Sequence, residues 1–178
     1  MKTTLRTLLA PALLAALAGC GGAHHGPATT LVYTAPADAG QWRLVPNPAS
    51  SPRHLVLDLL APAGASGMGV TMELGVDASR ARWAAVAGAT LVQPGAYVAP
   101  LAQSATLLGP DLRILLSQEA PTAPVAYTAA PVLTVALDLV SGAAPGQVAV
   151  TVANAGHLAA SGTLPVPLSL AIGSVKAQ

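Results

Sequence analysis

Gly69-Val70-Thr71-Met72-Glu73-Leu74-Gly75-Val76 is the stretch that decides the fold. Val70, Met72, Leu74 and Val76 recur at every second position, with Thr71 and Glu73 between them. A strand sends alternate side chains to opposite faces, whereas a helix needs apolar residues three and four apart. The octapeptide is therefore expected to be a strand with one face in a core and one in water. Upstream, Leu55, Leu57 and Leu59 repeat the pattern with His54 and Asp58 opposite, and Pro62, Gly64 and Gly67 break the chain between the two runs.

The same period continues downstream. Asp77-Ala78-Ser79-Arg80 reads as a turn capped by Asp77, leading into a strand Arg82-Trp83-Ala84-Ala85-Val86. Leu91-Val92 and Tyr97-Val98 are short apolar pieces among Gly and Pro, and Leu112-Arg113-Ile114-Leu115-Leu116 follows Gly109-Pro110. Leu133, Val135, Leu137 and Leu139 form another inward row. Ala144-Pro145-Gly146 makes a tight turn before alternating Val148, Val150 and Val152. Val166, Leu168, Leu170 and Ile172 are read as one side of a last strand, which Pro165 and Pro167 mark as starting at an edge or bulge. Gly88 and Pro100 limit the Ala-rich stretches 78–89 and 99–105 to one helical turn at most. The expected class is all-β, an immunoglobulin- or jelly-roll-like β-sandwich of about seven to nine short strands.

Composition narrows the functional classes. Charged residues make up 8 % of the chain, against about 25 % in ordinary globular proteins. Lys and Arg total 8 against 7 Asp and Glu, with no basic run and no basic-aromatic interleaving, so nucleic acid is not an expected partner. Phe is absent, and the aromatics are Trp42, Trp83, Tyr33, Tyr97 and Tyr127. A surface this poor in charge is prone to association or to being covered by a partner.

The amino-terminal residues carry a targeting signal. Lys2 and Arg6 precede the uncharged Leu/Ala-rich run Thr7 to Ala18, which is shorter than the roughly 20 residues that span a bilayer. Leu17-Ala18-Gly19-Cys20 closes it with the single cysteine of the chain and reads as a lipobox, the mark of a bacterial lipoprotein. Small residues give a peptidase an open backbone, and the Cys20 thiol can take a diacylglycerol thioether. The expected plan is a signal peptide over 1–19, a lipidated Cys20 with a Pro/Gly-rich tether over 20–52, and a sandwich domain over 53–178. A possible edge strand, Thr30 to Thr34, lies within the tether. Gly21 after the cysteine, rather than Asp, resembles outer-membrane sorting in a Gram-negative cell. Membrane attachment through acyl chains, at roughly 0.8 kcal/mol per buried methylene, would be durable. With Cys20 acylated no disulfide is available, so stability has to come from packing.

The order of strands from Gly69 to Val86, then Ile114 to Leu116, Pro131 to Leu139 and Pro145 to Val150, resembles a cohesin domain over residues 54–173. What the resemblance implies is a nine-stranded jelly-roll-like sandwich, without catalysis, that binds a protein partner on one sheet face. The same fold group includes carbohydrate-binding modules, which implies a polysaccharide as the alternative ligand. Trp83 is the one tryptophan on an expected strand and so the candidate ligand contact. The favoured reading of the same residue is a core filler in a chain without Phe.

Motifs for chemistry are missing. There is no G-x-S-x-G elbow, no H-E-x-x-H, no Walker loop and no G-x-G-x-x-G. Asp58, Glu73, Asp77, Asp111, Glu119 and Asp138 are scattered singly, and His24-His25 supplies at most half a zinc site in a solvated linker. No cofactor, metal or catalytic residue is expected, and the chain is not read as an enzyme. The principal expectation is a protein-binding, scaffold or secretion/pilus-accessory module with a protein partner in the cell envelope, and the alternative is a carbohydrate-binding or adhesive surface module.

Overall fold

The computed structural model describes residues 26–95, 101–119, 123–127, 130–160 and 164–178. Cys20 with its lipobox, His24-His25, and Tyr97-Val98 lie outside the described residues. The chain forms β1 (Leu31–Thr34), β2 (Trp42–Pro46), β3 (His54–Leu60), β4 (Ser66–Gly67) and β5 (Gly69–Val76). It continues with β6 (Ala81–Ala84), β7 (Val92–Pro94), β8 (Leu101–Leu108), β9 (Asp111–Gln118), β10 (Val125–Ala126) and β11 (Leu133–Leu139). The last are β12 (Gly146–Val148), β13 (Val150–Leu158), β14 (Val166–Pro167), β15 (Leu170–Ala171) and β16 (Ser174–Ala177). No helix occurs among the described residues.

Two sheets form the sandwich. One runs β14-β13-β5-β9-β8, and the other β15-β2-β3-β11-β6 with β7 also on β11. Smaller sheets β1-β16-β12 and β10-β4 complete it, and among the described residues every pairing is antiparallel except β15 on β2. The all-β class read from the sequence is the class observed. Val70, Met72 and Leu74 of β5 and Leu112, Ile114 and Leu116 of β9 share one core with Leu55, Leu57 and Leu59 of β3 and Val135 and Leu137 of β11. Each such side chain contributes about 1.5–3 kcal/mol by leaving water. The period-two rows therefore explain why these two sheets close on each other.

Four segments differ from expectation. The stretch treated as tether through residue 52 enters the sandwich: β1 pairs with β16 and β2 with β3, burying Leu31, Trp42 and Leu44. The turn residues after Pro46 hide this. Asn47 closes its own loop by accepting the Ala49 N–H at 2.8 Å, so that a proline-punctuated stretch lies on the sheet instead of leaving it. Residues 101–108 form a full strand paired with β9. The expected last strand is two pieces in different sheets, because Val166–Pro167 joins β13 while Leu170–Ala171 joins β2. Val148 and Val152 also part company: Val148 belongs to β12 in the small sheet, and a bulge follows Val152, leaving it 36 % exposed.

Candidate functional site: the open face of the five-stranded sheet

The outer faces of the two sheets have opposite fates. On the six-stranded sheet the outward residues of β3 and β11 form cross-strand rows, among them Val56–Ala136 and Asp58–Thr134. Val56, Asp58 and Ala136 are nonetheless buried. The loop after β2 roofs them. Ser50 Oγ donates to the Val56 carbonyl and accepts its N–H, both at 3.0 Å, and Asn47 N–H donates to the same carbonyl at 2.9 Å. Asp58 fastens the roof, accepting from Asn47 Nδ2 at 2.8 Å and from Thr134 Oγ1 at 2.7 Å. What remains is a groove of about 400 Å³ lined by Val56, Asp58, Gln93, Pro131 and Thr134.

The five-stranded sheet has no such cover among the described residues. Its registers set out four outward rows across β8, β9, β5 and β13. They are Ala102–Ser117–Gly69–Leu158, Ser104–Leu115–Thr71–Gly156, Thr106–Arg113–Glu73–Asn154 and Leu108–Asp111–Gly75–Thr151. Leu115 and Leu108 are 45 % and 49 % exposed. At the centre Arg113 Nη2 donates to Glu73 Oε1 at 3.1 Å beside a shallow recess of about 200 Å³. Gly75 keeps the surface low: a Cβ there would stand 2.6 Å from Thr151 Oγ1 and 2.9 Å from Asp111 Oδ1. The face combines hydroxyls, amides, exposed leucines and a single ion pair, a composition suited to a protein interface with little charge to desolvate.

The other candidates are placed as follows. Trp83, the candidate ligand contact, is buried: it is 5 % exposed, and its Nε1 donates to the Pro110 carbonyl at 3.0 Å. It faces inward because β6 has Arg82 on the other side, and it supplies core volume that Phe would supply elsewhere. Trp42 and Tyr127 are buried and Tyr33 is half-buried, so no described aromatic offers a sugar-stacking face. His54 and Asp58 share the outward face of β3 but are not partners. His54 Nδ1 lies 2.7 Å from Asp138 Oδ1, and Arg82 Nη2 is 3.7 Å from the same carboxylate. His157 Nε2 meets the Ser66 carbonyl at 2.9 Å and its ring lies 5.4 Å from that of Trp42, closing one end of the sandwich. No three His, Cys, Asp or Glu among the described residues come together as a metal site.

Two titrating groups serve the scaffold. Asp77 caps its turn as expected, and the Ser79 hydroxyl, the Arg80 guanidinium and the Ser79 N–H hold its carboxyl below the ordinary 3.8. Burial pushes the Tyr33 phenol above 10.0, and the hydrogen bond from Gly173 N–H opposes that shift. The sequence flagged Trp83 and missed the open face. Glu73, Arg113 and Leu115 were legible only as outward positions of their strands, and Ser104, Thr106 and Leu108 lie on a strand that alternation did not reveal.

A known structure shares this architecture. A type II cohesin domain from the cellulosome of Acetivibrio cellulolyticus superposes with a TM-score of 0.56 at 11 % identity, covering 76 % of this chain and 93 % of the cohesin. The cohesin module of a family 33 glycoside hydrolase from Clostridium perfringens gives a TM-score of 0.41 at 9 % identity, covering 82 % and 99 %. No family profile and no curated protein sequence matches the chain. The protein has a cohesin-like β-sandwich fold.

Proposed function

We propose that this protein is a non-catalytic binding module, lipid-anchored through Cys20 in the cell envelope, that holds a protein partner on the outer face of its five-stranded sheet. The observation that carries the reading is the contrast between a roofed sheet face and an open one. The open face spans four strands, carries exposed Leu108 and Leu115, and has one ion pair at its centre. The cohesin-like fold supports the protein-binding class, and the Leu17-Ala18-Gly19-Cys20 signal supports anchorage, with outer-membrane sorting the reading of Gly21. The burial of Trp42, Trp83 and Tyr127 favours the protein partner over the polysaccharide alternative.

A photo-reactive amino acid at position 115 or 154, in the anchored protein in its own envelope, tests the face. The same probe at Ala49, on the roof of the other sheet, is the control. One protein adduct at 115 and 154 with none at 49 is the expected result. Equal labelling at all three overturns the assignment of the face. Cys20→Ser is expected to abolish palmitate labelling and release the chain from the membrane fraction.

A further inference from the structure

The edges of the two sheets are guarded unequally. The six-stranded sheet ends in β15, two residues long, and in β6 and β7, which are four and three residues long and carry Arg82 and Pro94. The five-stranded sheet ends on one side in the two-residue β14, which contains Pro167. Its other edge is β8, eight residues reading Leu-Ala-Gln-Ser-Ala-Thr-Leu-Leu, with no charge, proline or glycine. Among the described residues its only ladder partner is β9. Its further tie is a side chain, Gln103 Nε2 donating to the Val92 carbonyl at 2.7 Å, and no described strand pairs with its outer edge. Natural sheets blunt such edges with short strands, Lys, Pro or bulges, and a long flat uncharged edge is a template for strand pairing.

We infer that β8 pairs antiparallel with β8 of a second copy of this chain, joining two five-stranded sheets into one continuous sheet. A two-fold axis normal to the sheet keeps inner faces on one side, so each residue must meet one of its own facing class. An axis at Ser104 meets this condition, giving Ser104–Ser104, Gln103–Ala105, Ala102–Thr106 and Leu101–Leu107. The outward positions Ala102, Ser104 and Thr106 are then small or hydroxylated and carry no opposing like charges. On the inner side Leu107, which is 44 % exposed in the single copy, faces Leu101. An axis at Ala105 instead sets Leu107 against Gln103. The pairing is isologous and closed, so it ends at a dimer and not a fibre. It uses the strand edge and leaves the open face free, so its failure would not touch the partner-binding reading.

Sedimentation of the full chain in a Cys20→Ser background is expected to show a concentration-dependent dimer. In the same background, Ser104→Cys places two thiols across the axis at a Cα spacing of about 4.5–5.5 Å, within disulfide reach. Mild oxidation should convert most of it to a covalent dimer, while Thr71→Cys, two strands inward on the same face, should remain single. Ala102→Lys with Thr106→Lys should abolish the 104 crosslink, and Ala102→Glu with Thr106→Lys should restore it. A protein that sediments as a monomer at every concentration overturns the inference. So does a dimer that crosslinks equally from 71 and 104.

Discussion

The six-stranded and five-stranded sheets contribute alike to the core and differently to the surface. The first covers its outer face with its own loop, pins that loop through Asp58, and ends in strands of two to four residues. The second leaves exposed leucines on its face and an eight-residue strand at its edge. Both are built from the same small vocabulary of Leu, Val, Ala and Thr. The difference arises from what lies beside the strands: Asn47 and Ser50 fold a proline-rich loop back on one face, and no described segment does so on the other. In a chain with 8 % charged residues, solubility cannot be spread evenly over the surface. An open, weakly charged region is therefore best understood as a place meant to be occupied.

The comparison can be broken at the core first. Trp83→Ala is expected to cost about 3–5 kcal/mol and Leu57→Ala about 2–5 kcal/mol in denaturant unfolding, because both leave cavities between the sheets. A ligand-contact role for Trp83 would instead predict a stable variant with lost binding. Next comes the roof. Asp58→Ala leaves the amide of Asn47 and the hydroxyl of Thr134 without their acceptor, at about 1–3 kcal/mol. Faster hydrogen exchange should then appear in residues 46–52 before β5 or β9 responds. On the open face Leu115→Ala should change stability by no more than about 0.5 kcal/mol, since the side chain already meets water. A larger loss would mean that this face is structural.

The smallest effect concerns acid. Asp77 has a folded pKa below the ordinary 3.8, so its contribution is fully present above that value and fades as pH falls through the folded pKa. Asp77→Asn should lower stability slightly at neutral pH, with the difference from the parent vanishing below about pH 4, so that the acid limb of the stability curve flattens. An unaltered acid limb would show that the turn contributes nothing through its charge.

The sequence announced the fold wherever one strand face was buried and the other wet. Alternation in β3, β5, β9 and β11 gave the inward residues by position. It was silent where a strand lies at an edge. In β8 both faces are partly exposed, so Leu101, Ala105 and Leu107 show no contrast with Ala102 and Leu108. It misled where the chain changes sheet, as at Val166 to Ala171, because one apolar row is divided between two sheets, with Val166 exposed on one and Leu170 half-buried on the other. The candidate site was illegible for a related reason. An open face is defined by the absence of a covering loop, and a covering loop such as 46–52 reads in sequence like a linker.

The pairing of β1 with β16 bears on how the module would carry load. Leu31 lies opposite Ala177, and Thr30 exchanges backbone hydrogen bonds with Gln178, so the start of one strand sits beside the end of the other. Tension between residue 26 and residue 178 would therefore open this small ladder like a zipper, one rung after another, and not shear all its bonds at once. The two large sheets would stay out of the line of force until β1 had peeled away. The module should yield early and softly when pulled by its ends, while a partner gripping the open face would pull against the sandwich itself.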